Sequence, residues 1–215
     1  MPDVMSALPV SGILETWVLP VLLALGLAAA SGLRIFVPLF MAALAARFQL
    51  FGIELNDGML WMTSNTAIAA LGLATVIEIV SDKVPVLDNA LHAVGLIARP
   101  VAGAMVAGSM FAGLDPAAAA IAGIIVGAPT ALAFGAVQGG TRAASTLSTA
   151  GAANPVLSVV DDVLSIGTVL IAFLMPLLIP VVVLIGFLVV RALYTRWRKG
   201  NAPTVMPELS ARRRT

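Results

Sequence analysis

No cysteine occurs anywhere in the 215 residues. Disulfides, thiolate nucleophiles and Cys-ligated zinc or iron–sulfur centres are thereby excluded. Histidine occurs once, as His92, so a Ser–His hydrolase has one candidate base. Charge is scarce: Asp, Glu, Lys and Arg make up 11% of the chain, and the formal net charge is +1. A chain with no basic field is not expected to bind nucleic acid. There is no GxSxG, no kinase signature and no Walker loop, since Gly139-Gly140-Thr141 lacks the lysine a P-loop needs. The opening MPDVMSALPVSGILETW is acidic and has no basic n-region, so it is not expected to be a cleaved signal peptide.

What is abundant is apolar surface. The chain is 60% hydrophobic with a mean hydropathy of +1.05, against about 45–50% apolar residues in a soluble domain. Residues 163–190 contain no ionisable group at all. Runs of this kind are membrane spans, each needing about 20 helical residues. The expected fold class is all-α, a polytopic transmembrane helix bundle of about seven spans (six to eight), some of them broken or short. A tail at 1–16 would precede a single transmembrane domain at 17–198, and a basic, disordered tail would follow at 199–215.

The expected spans are 17–31, 35–51, 62–81, 86–113, 117–138, 156–174 and 177–195. Gly32-Leu33-Arg34 breaks the first from the second. A loop at 52–61 holds Glu54, Asn56, Asp57 and Gly58. Ser81 to Pro85 makes a turn, Arg99-Pro100 interrupts the fourth span, and Leu114 to Pro116 makes the next turn, because proline does not continue a helix interior. The Gly-, Ser- and Thr-rich stretch 139–155 reads as unwound. The last two spans join near Pro176 and Pro180, with one long kinked helix as the alternative.

The densest basic cluster, Arg191, Arg196, Arg198, Lys199 and Arg212 to Arg214, places the C-terminus in the cytoplasm. Counting backwards, Arg142, Lys83 and Arg34 fall on the inner side. Asp115, Glu54, Asp57, Asp3 and Glu15 fall outside, with Arg47 the exception. Six spans with both ends inside is the alternative.

Ten ionisable residues lie within or beside apolar segments: Arg34, Glu78, Asp82, Lys83, Asp88, His92, Arg99, Arg142, Asp161 and Asp162. Each costs about 2.5–3.5 kcal/mol at the bilayer centre, so they are expected to pair or to line a wet cavity. Glu78 and Asp82, and likewise Asp88 and His92, stand at i, i+4 on one helix face. Asp161 and Asp162 follow the polar stretch that contains Asn154. All but Arg99, the deepest, converge on the inner half of the membrane, and together with Asn154 they form the candidate binding cluster. The bland alternatives are an interfacial turn with a snorkelling Lys83, dipole-favoured acids at 161–162 and a packed, satisfied His92. The arginines would neutralise the acids or bind an anionic head group. No cofactor is expected. A divalent cation on Glu78, Asp82, Asp88 and His92 is the minor reading, for want of a signature such as HExxH.

Gly123, Gly127, Ala131, Gly135 and Gly139 recur every fourth residue on one helix face, as in close backbone contacts between membrane helices. Packing inside the chain is the first reading and a homo-oligomer interface the second. Pro129 is expected to bend this helix.

The segments GLAAASGLRIFVPLF, EIVSDKVPVLDNALHAVG, RPVAG and STLSTAGAANPVLS resemble the bacterial membrane family termed domain of unknown function 4126 (DUF4126), over roughly residues 20–175. The resemblance implies a bacterial inner-membrane protein and implies no activity. The functional expectation is a transporter or channel for a small solute or ion. The alternative is a non-transporting scaffold or anionic-lipid binder, and an enzyme ranks last for want of a nucleophile–base pair. The expected partners are the lipid bilayer and the solute or ion.

Overall fold

A computed structural model describes residue 12, residues 14–82 and residues 85–200, with side chains except at 15, 85–93, 190, 193–194 and 196–200. It divides into a unit up to Val183 and a second from Leu184. The α-helices are α1 (Leu19–Leu33), α2 (Phe36–Arg47), α3 (Asn65–Ser81), α4 (Pro85–Ser109), α5 (Pro116–Thr149), α6 (Asn154–Leu174) and α7 (Ile179–Gly200). A π-turn, Leu14–Val18, leads into α1, and short 3-10 segments lie at Leu50–Gly52, Asp57–Thr63 and Pro176–Leu178.

Several prolines that read as breaks turn out to be starts. Proline opens α4 and α5 and stands in the first turn of α1 and α6. There its missing N–H has no partner to lose and its φ is already helical. Asp115 caps α5, its side chain accepting from the backbone N–H groups of Ala117 and Ala118 at 3.1 Å.

Two expectations are corrected. α4 is not interrupted at Arg99-Pro100 and runs through its proline; α5 likewise continues through Pro129. Packed neighbours hold a membrane-type helix together where one hydrogen bond is lost. The polar stretch 139–155 is not unwound either. α5 carries on to Thr149, and the turn is confined to the residues before Asn154, with Ala150 at φ 53° and Gly151 at φ 85°. The hydroxyls explain why: Thr146 donates to the Arg142 carbonyl, Ser148 to Ala144 and Thr149 to Ser145, at 2.8–3.0 Å. These three hydroxyls thus satisfy themselves on the preceding turn and leave the helix intact.

α1 is the central helix. It is buried from Gly26 through Gly32 without interruption, so every face is covered, and it packs on α4, α5 and α6. α4 and α5 make the most extensive helix pair. The small-residue stripe forms this seam: Gly123, Gly127, Ala131 and Gly135 are all buried. A Cβ on Gly103 would stand 2.8 Å from the Gly127 carbonyl oxygen, and one on Gly32 would stand 2.5 Å from that of Ala131. The stripe is therefore used inside the chain, against α4 and α1. Gly139 departs from it, only half-buried, and Gln138 and Arg142 continue the buried face instead.

At the end of the unit where α1 begins, the segment between α2 and α3 folds over the helices. Asn56 fixes it: the side-chain amide donates to the carbonyls of Phe111 and Leu114 at 2.9 and 2.7 Å, and its backbone N–H donates to Ser109. Phe51 stacks on Phe173 with ring centroids 5.9 Å apart.

Among the described residues, three helices are long and apolar enough to cross a membrane: Thr16–Leu33, Pro116–Thr149 and Asn154–Leu174. A fourth results if Asp57–Thr63 and Asn65–Ser81, bent by 71°, count as one span. Phe36–Arg47, Val94–Ser109 and Pro176–Val189 are apolar but shorter. Each of the seven expected segments overlaps one of these elements, yet α2 has only 12 residues, about 18 Å of helix, and does not reach across a layer about 30 Å thick. The last two segments are separate helices, broken at Met175 and Pro176–Leu178, and not one kinked helix.

Candidate functional site

The site grows from the break between α1 and α2. Gly32 and Leu33 end α1, and Arg34 leaves it in extended conformation, φ −134° and ψ 123°. Glu78, on α3, then takes over the start of α2. Its two carboxylate oxygens accept the N–H groups of Ile35 at 2.7 Å and Phe36 at 3.0 Å. These are orphan donors of a new helix, and the anion sits on its positive end.

Released from the helix, Arg34 points into the bundle and is 1% exposed. Its guanidinium pairs with Asp82 at the end of α3 and with Asp162 on α6 at 2.7 Å. It also donates to the hydroxyl and the carbonyl oxygen of Ser158, both at 2.9 Å. Arg142, on α5, pairs with the same Asp82 oxygen at 2.8 Å and with Asp161 on α6 at 3.3 Å. Gln138, one turn earlier on α5, donates to Asp161 at 2.8 Å and to the Leu33 carbonyl at 3.1 Å. The order is thus Asp162, Arg34, Asp82, Arg142, Asp161, Gln138. This continuous buried chain joins the α1–α2 corner to α3, α5 and α6. A guanidinium fork suits such bridging, because it offers five donors in one plane.

Of the expected cluster, the structure brings together Arg34, Glu78, Asp82, Arg142, Asp161 and Asp162. Arg99 stands apart in a groove between α4 and α5. Asn154 does not join them; it donates to Thr146 across the α5–α6 turn at 3.1 Å. Lys83, and the side chains of Asp88 and His92, lie outside the described residues. Among the described residues, no group of three or more His, Asp or Glu is placed to hold a metal ion.

Reading the sequence for charge alone missed Gln138, Ser158 and Ser165; the last donates to the Ala30 carbonyl at 3.2 Å near the end of α1. Gln138 carried a signal. It follows Gly135 by three positions and precedes Arg142 by four, so it continues the small-residue face of α5 into the polar region.

A family model described as "Domain of unknown function (DUF4126)" matches residues 21–196. The chain belongs to the DUF4126 family. No curated protein and no solved structure matches it. The family model covers the whole charged chain of this DUF4126 protein, from Arg34 to Asp162, and its apolar helices are compatible with an integral membrane protein.

Proposed function

We infer that this DUF4126 protein is an integral membrane carrier for a small solute or ion, with the arginine–carboxylate chain at the α1–α2 break as its coupling site. One observation carries the reading: a helix broken at a buried ionic network shared by four segments of the bundle. Irregular backbone at membrane depth belongs where it meets protein or a cavity. Carriers place discontinuous helices at their ion and substrate sites, and intramembrane charge marks ion pathways.

The membrane placement follows from a ruler argument. Trp17 and Trp61 are half-exposed at the end opposite the network, as in an interfacial aromatic belt. Trp17 precedes Arg34 by 17 positions, about 25 Å of helix, in a hydrocarbon layer of about 30 Å. The network thus sits near the other edge of that layer. Arg34 and Arg142 lie at that edge, and a bias of Lys and Arg marks a cytoplasmic side.

The chemistry of coupling lies in Asp82, one oxygen of which holds both arginines. A proton or cation arriving there weakens the hold of Asp82 on both arginines, leaving Arg34 to Asp162 and Ser158 and Arg142 to Asp161. In proteoliposomes with an entrapped pH dye and an imposed sodium, potassium or proton gradient, wild type is expected to dissipate one of these gradients, and Asp82→Asn and Asp161→Asn to stop it. Unchanged flux in both variants would sink the proposal.

A second reading, a non-transporting scaffold, is favoured by the closure of the network, with Arg34 1% exposed and α1 covered on every face. Tight vesicles under all three gradients, with a folded wild-type protein, would decide for it.

A further inference from the structure

Arg99 is the cation the network leaves out. Among the described residues it forms no ion pair. Its Nη1 makes a long contact of 3.5 Å to the Gly135 carbonyl, and its Nε is buried without a partner. The acids whose charge reaches it, Glu78, Asp82 and Asp161, are engaged elsewhere: Glu78 by the N–H groups of Ile35 and Phe36, and the two aspartates by Arg34 and Arg142. A cation at this level with no counter-charge in contact is costly, and the fold leaves space beside it. A groove of about 270 Å³ runs between α4 and α5. Its floor is made of Gly95, Gly135, Gly139 and Gly140, and Leu96 and Leu132 flank it. The glycines leave room beside the Arg99 side chain: a Cβ on Gly95 would lie 3.5 Å from its Cζ, and one on Gly135 3.0 Å from its Cδ. Leu96 is 65% exposed and Leu132 48%, so apolar walls stand beside the charge.

The geometry points to an anionic phospholipid bound in this groove, its head-group phosphate on Arg99 and an acyl chain along Leu96 and Leu132. Charge complementarity selects the occupant. A guanidinium pairs with phosphate through two parallel N–H bonds, and basic pockets between membrane helices take anionic head groups. Depth agrees as well. Gly135 lies 19 positions beyond Pro116, about 28 Å along α5, close to the far edge of a layer about 30 Å thick, where phosphates begin. The inference rests on the membrane placement above and not on transport.

The test is native mass spectrometry of the full chain released from vesicles of equal phosphatidylglycerol and phosphatidylcholine. Wild type is expected to retain phosphatidylglycerol preferentially. Arg99→Gln should lose about ten-fold of that preference, the size of one lost charge-assisted contact. Gly140→Phe should lose it too while keeping Arg99, because a Cβ at Gly140 meets nothing within 4 Å and the ring fills the groove without disturbing packing. Asp161→Asn should keep the preference even if it stops flux, which separates this site from the coupling site. Equal retention of the two lipids by wild type, or an undiminished preference in a folded Gly140→Phe, would overturn the proposal. So would displacement of the lipid by millimolar inorganic phosphate, which would make the groove a site for free anion.

Discussion

The carboxylate of Glu78 receives the backbone N–H of Ile35 at 2.7 Å, so the end of α3 caps the start of α2. A helix start is usually capped by the residue just before it. Here that residue, Ile35, has no side-chain acceptor, Arg34 before it is committed to the ionic chain, and a distant acid does the capping.

Removing this cap should loosen the α1–α2 corner. Glu78→Ala strips acceptors from two N–H groups and is expected to cost about 1–3 kcal/mol. Glu78→Gln keeps a carbonyl oxygen for one of them and should fall between. Thermal unfolding midpoints in detergent check the order wild type, Gln, Ala; an Ala variant as stable as wild type would mean that the cap contributes nothing.

Arg34 tests the chain itself. Arg34→Gln leaves Asp82 to Arg142 alone and takes one ion pair from Asp162, so the loss should stay below the about 3–5 kcal/mol of a buried charge left with no partner. Arg34→Lys restores the charge but not the fork that reaches Asp82, Asp162 and Ser158 together, so its rescue should be partial. Neutralising the partner as well, in Arg34→Gln/Asp82→Asn, should cost less than the sum of the two single changes. Strict additivity of unfolding energies would show that the two residues do not interact.

The α4–α5 seam gives a contrast between two glycines of one helix. Gly127→Val drives a side chain into the Gly103 backbone and should cost at least the about 1–3 kcal/mol of an overpacked core. Gly140→Ala meets nothing within 4 Å and should raise stability by a few tenths to about 1 kcal/mol through helix propensity. The measurement is the midpoint of unfolding for each; equal effects would contradict the assigned face of α5.

Much of this was legible in the residues themselves. The breaks at Gly32-Leu33-Arg34 and at the Asp115-Pro116 turn follow from local chemistry, and so does the four-residue stripe of α5. The gathering of Arg34, Asp82, Arg142 and Asp161 at one level followed from charge placed in alternate turns. The errors have physical causes too. Proline was read as a breaker at Pro100, where packing outweighs one missing hydrogen bond. Serine and threonine were read as loop at 139–149, where i−4 bonding makes them helical. Asn56 and Gln138 are neutral, and a search for charge passes over neutral residues that do the work of charges. Span length also hid from composition, because the apolar run at 35–51 includes the reversal after Arg47 that shortens α2.

Asn56 shows how a neutral residue fixes the other end. It is 1% exposed and donates to two carbonyls. Asn56→Ala leaves both acceptors buried and unpaired, at about 1–3 kcal/mol. Asn56→Asp should be worse than Ala, because it puts an anion against the carbonyls of Phe111 and Leu114. Unfolding midpoints in the order wild type, Ala, Asp are expected; an Asp variant above Ala would mean the amide donates elsewhere.

The chain has no cysteine, so single cysteines carrying nitroxide labels can test whether residues 141–149 are helix or loop. In the structure Arg142 and Ser145 face inward, while Leu147, 89% exposed, and Ser148 face out. Exposure to oxygen from the lipid, or to a polar relaxation agent from water, should rise and fall with the helical period of 3.6 residues. The minima should fall at positions 142 and 145, and the pattern should break at Ala150 and Gly151, where φ turns positive. The outcome bears on function as well as fold. A helical phase through 149 keeps Arg142 locked against Asp82 and Asp161 by a rigid element, so that release of Arg142 must come from the carboxylates. Uniform exposure across 141–149 would instead put Arg142 on a loop, and coupling through a shared Asp82 would lose the rigid partner it depends on.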